Sequence, residues 1–81
     1  MNYEFITNGV CSKKINFTIA EDGTIHNVSF MGGCNGNLKA IGKLVEGMDA
    51  KKVCEVLEGN TCGMRPTSCA DQLARAIKER L

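Results

Sequence analysis

Five cysteines, Cys11, Cys34, Cys54, Cys62 and Cys69, fall within only 81 residues. A chain of this length sits near the lower limit at which an apolar core suffices alone, so a metal, a disulfide or a partner subunit is an expected source of stability. The start, Met1-Asn2-Tyr3-Glu4, has neither the basic region nor the long apolar region of a signal peptide. No apolar run approaches the ~18 residues of a membrane span. A cytoplasmic, reducing compartment is therefore expected, where clustered thiols bind metals or carry redox chemistry and structural disulfides are rare.

The remaining composition excludes several classes. An apolar share of 43% argues for a globular core and against disorder. Ten basic and nine acidic residues are spread along the chain, giving a formal charge of +1. No block of Lys or Arg is dense enough for a nucleic-acid footprint, and Arg75, Lys78 and Arg80 read as the solvated face of a helix.

Alternation and turn chemistry divide the chain into strands followed by helices. Tyr3 to Thr7 is a short strand, followed by the hairpin signal Asn8-Gly9. Ile15, Phe17 and Ile19 alternate with Asn16, Thr18 and Ala20 in a half-buried second strand. Asp22-Gly23 turns the chain into a third strand from Thr24 to Met31. Ile25 is out of phase there with Val28 and Phe30, which predicts a bulge near His26-Asn27. After Gly32-Gly33-Cys34-Asn35-Gly36, Asn37 is the expected cap of a first helix, with Leu38, Ile41, Leu44, Val45 and Met48 on one face. Gly47 stops that helix and Asp49 caps the next, in which Ala50, Val53, Cys54 and Leu57 share a face. Thr61 to Pro66 reads as loop. Ser68 caps a third helix with Asp71 three residues on, close to a capping box, and Leu73, Ile77 and Leu81 form its buried stripe. The expectation is a single α+β domain over 1–81, a three-stranded antiparallel meander followed by three helices packed on one face, β-β-β-α-α-α.

Counting reversals in this order brings four cysteines to one end. If successive elements are joined by short connections and alternate in direction, then Cys11, Cys34, Cys62 and Cys69 share that end, while Cys54 sits mid-helix among apolar residues. Thiolates form more easily at a helix N-terminus or beside positive charge. Cys34 precedes one helix, Cys69 opens another, and Lys13, Lys14 and Arg65 lie close in sequence to Cys11 and Cys62. Four thiolates would close a tetrahedral shell around Zn²⁺ or hold an iron–sulfur cluster. The intervals are Cys-x22-Cys, Cys-x27-Cys and Cys-x6-Cys, with no CxxC knuckle, so the zinc-ribbon and rubredoxin patterns are absent.

Thr67-Ser68-Cys69-Ala70-Asp71 resembles the five-residue motif that names the TSCPD family, with Ala70 where the family usually has Pro. Cys11, the Gly33-Cys34-Asn35-Gly36 turn and Cys62 extend the resemblance over nearly the whole chain. It implies a zinc or other metal site at Cys11, Cys34, Cys62 and Cys69. It also implies a relation to a C-terminal domain of cobalamin-dependent ribonucleotide reductases, without reductase activity in so short a chain. A weaker resemblance is to iron–sulfur scaffolds of the IscU/NifU type, whose strand-then-helix order and cysteine positions match Cys11, Cys34 and Cys69. Lys13 and Ser68 stand where those scaffolds carry an aspartate and a histidine, and Cys62 is extra to their pattern.

The other reactive residues read more plainly. Cys54 belongs to a core, and His26 lies toward the end opposite the cysteines. The glycine-rich turn at 32–36 lacks phosphate-loop patterns and serves to position Cys34. Met31, Met48 and Met64 are core or loop filler. No catalytic set emerges. The expected function is a small non-catalytic metal-binding module with a four-cysteine zinc site, accessory to ribonucleotide reduction. The alternatives are an iron–sulfur scaffold or carrier and a thiol–disulfide protein using Cys62 and Cys69. The expected partner is a protein, ribonucleotide reductase or a cluster-assembly factor, with neither nucleic acid nor membrane.

Overall fold

The computed structural model describes residues 2–7, 10, 12–32, 35–61, 64 and 66–80, with backbone alone at Asn35. Three strands, β1 (Asn2–Ile6), β2 (Ser12–Ile19) and β3 (Ile25–Gly32), precede three helices, α1 (Asn35–Val45), α2 (Ala50–Leu57) and α3 (Cys69–Arg80). The sheet is antiparallel in the order β1-β2-β3, so the α+β meander read from the sequence is the fold. The Asn8-Gly9 hairpin signal and Leu81 lie outside the described residues.

Alternation along β2 buries Ile15 and Phe17 while Asn16 and Thr18 face away. These two side chains meet Ile25 of β3, Ala50 and Val53 of α2, and Leu73, Ala76 and Ile77 of α3 in one core. Tyr3, Phe5, Val28 and Phe30 pack around its margin.

Two bulges set the phase of the sheet. Asn16 pairs with Ser29 and Thr18 with His26, so Phe17 alone faces two residues, Asn27 and Val28. That extra residue restores Val28 and Phe30 to the core side occupied by Ile25, and Asn27 takes φ 56° to make the bend. A second irregularity, unforeseen in the sequence, falls on β2: Ser12 pairs with Gly32 and Lys14 with Met31, leaving Lys13 over. The shift puts Ser12 on the same buried side as Ile15.

The end of the sheet opposite Ser12 is tied to the α1–α2 connection by backbone. Ile25 N–H donates to Met48 O at 2.8 Å, Gly47 N–H to Ile25 O at 2.7 Å and Ala50 N–H to Gly23 O at 2.8 Å. Gly47 reaches this path with φ 78°. Asp49 caps α2 as expected, accepting from Lys51 N–H at 3.0 Å.

Three details differ from the sequence reading. Helix α1 starts at Asn35, so Asn37 lies within its first turn and is not its cap. Leu44 is 76% exposed: α1 packs against β3 with Leu38 and Val45 buried, and no described element covers the Leu44 face. Met31, on β3, is exposed and fills no core, whereas Met64 is exposed in its loop and Met48 packs on the core as read.

Candidate functional site

The segment Thr67-Ser68-Cys69-Ala70-Asp71 is where loop becomes helix α3, and all five residues are buried. Ser68 is the cap: its hydroxyl accepts from Asp71 N–H at 3.1 Å and donates to Asn60 O at 2.5 Å. The Asn60 side chain also donates to Ser68 Oγ at 3.3 Å. Asp71 does not complete a capping box. Its Oδ1 accepts from Gly59 N–H at 2.7 Å, and its Oδ2 accepts from the Thr67 hydroxyl at 2.5 Å and Arg75 Nε at 2.9 Å. Burial pushes the Asp71 carboxyl upward, but the bonds from Thr67, Gly59 and Arg75 outweigh it and hold the group below its ordinary range. Gln72 Nε2 in turn donates to Thr67 Oγ1 at 3.0 Å. The two ends of the 60–68 connection are therefore fastened to each other at Asn60–Ser68 and Gly59–Asp71.

Cys69 is the first residue of α3 and is 8% exposed. Its Sγ lies 3.1 Å from Ser12 Oγ, with Ser12 itself 3% exposed. Ser12 belongs to the sheet end where β2 meets Gly32 of β3. Thr7 closes the β1–β2 connection beside it, donating from its hydroxyl to Ser12 O and from its N–H to Lys13 O at 3.2 Å. Ser12, Gly32, Asn60 and Ser68 are thus gathered at one end, around the start of α3.

Of the four cysteines expected at this end, Cys69 is described; Cys11, Cys34 and Cys62 lie outside the described residues. Among the described residues there is accordingly no group of three or more His, Cys, Asp or Glu side chains able to hold a metal. Cys54 behaves as read: buried in α2, it donates its S–H to Ala74 O at 3.3 Å. Burial raises the Cys54 thiol above its usual range, and Glu58 adds to the effect, so it stays protonated and inert.

His26 belongs to the opposite end, bridging Thr24 Oγ1 at 2.7 Å and Glu46 Oε2 at 2.5 Å. Sequence reasoning placed Cys69 at the start of the last helix and found the Ser68 cap, but missed Ser12, Asn60 and Thr67. Ser12 owes its role to Cys69, 57 residues away, and to the bulge at Lys13, while Asn60 and Thr67 act through side-chain bonds across the loop to Ser68 and Asp71; none of these leaves a periodic trace.

An α+β module of three strands and three helices, with a buried cysteine at the start of its last helix, is the class these features define. The TSCPD domain model matches residues 1–81, the whole chain, and the chain belongs to that family. No curated protein and no solved structure matches it. No helix among the described residues is long and apolar enough to cross a membrane.

Proposed function

We propose that this protein is a non-catalytic metal-binding module in which Cys11, Cys34, Cys62 and Cys69 hold one ion, zinc in the first instance. The observation that carries the reading is the gathering of Ser12, Gly32, Asn60 and Ser68 at one end of the domain. Each is one or two residues along the chain from one of the four cysteines, and a peptide step spans only about 3.8 Å. The donor set suits the ion, since four thiolates close a tetrahedral shell with no open coordination position. Cys69 fits such a shell further. The Ser12 hydroxyl beside its sulfur is the kind of outer partner that orients a metal-bound thiolate.

Metal bound in this way ties the β1–β2 and β3–α1 connections to the start of α3, a structural role in which the module presents its surface to a larger protein. The family resemblance points to ribonucleotide reductase, with a cluster-assembly protein as the alternative partner.

The test is elemental analysis of untagged protein purified anaerobically without chelator. About one zinc per chain is expected, lost in Cys69→Ser and kept in Cys54→Ala. Iron with matching acid-labile sulfide would replace zinc by an iron–sulfur cluster carried on the same residues. A metal-free preparation that takes up neither would overturn the reading.

A further inference from the structure

On the outer side of the molecule, between β3 and α1, runs a cleft of about 370 Å³, within the size range of small-molecule sites. Its apolar lining comes from Val28 and Phe30 of β3 and Leu38 of α1; Asn27, Ser29 and Gly32 complete the strand side. Gly42 brings the two walls together, because a Cβ there would stand 2.8 Å from Val28 O. The floor is thus a fixed helix-on-strand contact.

Lys39 and Lys43 line the helical wall. Four residues apart, they lie on one face about 6 Å apart along the axis, where like charges repel. The other ion pairs among the described residues join Lys14 to Glu4, Lys52 to Glu55, Arg75 to Asp71, Lys78 to Glu58 and His26 to Glu46. Neither Lys39 nor Lys43 has an acidic partner among the described residues. Lys43, in the last turn of α1, is favoured by the helix dipole. Lys39 has no such local reason to face its neighbour. Glu46 marks the far end of the cleft, and its two oxygens are already engaged by Asn27 N–H at 2.9 Å and His26.

We propose that this cleft binds a small amphipathic organic anion, a phosphate ester or carboxylate with an apolar body. The anionic head lies between Lys39 and Lys43, and the body lies on Phe30, Val28 and Leu38. The two ammonium groups give charge-assisted contacts, and the bound anion removes their mutual repulsion. The wall of carbon below them favours a ligand with an apolar body over a bare ion. This site stands apart from the cysteines, so it holds or fails independently of the metal reading.

The test is an amide-shift titration of the ¹⁵N-labelled full chain at fixed ionic strength with phenyl phosphate, benzoate and inorganic phosphate. Saturable shifts confined to residues 27–32 and 38–46 are expected with phenyl phosphate or benzoate, and much weaker ones with inorganic phosphate. Lys39→Gln/Lys43→Gln should weaken binding at least about ten-fold, the loss of two charge-assisted contacts. Lys51→Gln, an exposed lysine of α2, should leave it unchanged. All three side chains are exposed, and the amide spectrum itself reports whether each variant is folded. The absence of saturable shifts, equal response to inorganic phosphate, or undiminished binding in the folded double variant would overturn the proposal.

Discussion

Burying a carboxylate costs several kcal/mol unless hydrogen bonds replace the water it loses. Asp71, with 2% of its side chain exposed, meets that demand through Gly59, Thr67 and Arg75. Asp71→Ala leaves the Thr67 hydroxyl and Gly59 N–H without their acceptor. We expect it to cost about 2–4 kcal/mol in urea unfolding, with Asp71→Asn costing less because an amide oxygen still accepts one bond. The exposed clasp at the other end behaves differently. The Thr24 hydroxyl and N–H hold the Asp22 carboxyl below its ordinary value, and Asn27 N–H, then His26, do the same for Glu46. A depressed carboxylate contributes stability that is present above its unfolded pKa and lost as pH falls through the folded one. Melting temperature should therefore fall as pH drops below the ordinary carboxylate range, the Glu46 contribution starting at the higher pH and that of Asp22 following. Glu46→Gln should flatten the upper part of that decline. A decline equally steep in Glu46→Gln would show that Glu46 contributes nothing to it. Both groups are surface ones, so the effect is small and screened by salt.

At the level of elements, α1 is decided by a single missing carbon. Alanine at 42 gains about 1 kcal/mol of helix propensity, but its Cβ would press on the Val28 carbonyl at 2.8 Å, against backbone that cannot turn aside. Overpacking of that kind costs about 1–3 kcal/mol, so Gly42→Ala should lower stability. Gly36→Ala, in the same helix with open space around it among the described residues, should be neutral or mildly stabilising. Chemical denaturation of the pair separates propensity from packing. This contact also shows why some elements were readable from residues and others were not. The strands were legible because Ile15, Phe17 and Ile25 are buried by alternation, and the phase slip between Ile25 and Val28 announced the bulge at Asn27. The slip at Lys13 had no such marker, since Ser12 is the only residue of β2 beyond it. Helix α1 misled twice. Asn37 is a good cap by type, yet the helix begins two residues earlier. Leu44 is apolar at helical spacing, yet its face has no element laid over it. Of the candidate site, the place of Cys69 at a helix start and the Ser68 cap were readable. The bonds from Asp71 to Gly59 and from Ser12 to Cys69 were not, because local pattern carries no information about partners 12 and 57 residues away.

For the molecule as a whole, the two ends of the sheet are secured by different means. One end is closed by backbone hydrogen bonds from the α1–α2 connection to Gly23 and Ile25, which need no ligand. The other gathers Ser12, Asn60 and Ser68 through side-chain bonds, with Gly32 paired to Ser12 in the sheet, in a chain short enough that its core alone supplies little surplus stability. If four thiolates there bind zinc, ligation energy becomes folding energy. Stripping the metal with a chelator under reducing conditions should then lower the melting temperature and broaden the transition. Hydrogen exchange should rise first at the start of α3 and at Ser12 and Gly32, and later at Ile25 and Met48. Cys69→Ser should behave like the stripped protein whether or not zinc is supplied. Cys54→Ala should lose only core packing, about 1 kcal/mol, and still be stabilised by zinc. Equal protection of both sheet ends before and after chelation would mean that the hydrogen bonds around Thr67, Ser68 and Asp71 hold this end by themselves. The cysteines would then have to be explained by thiol chemistry instead.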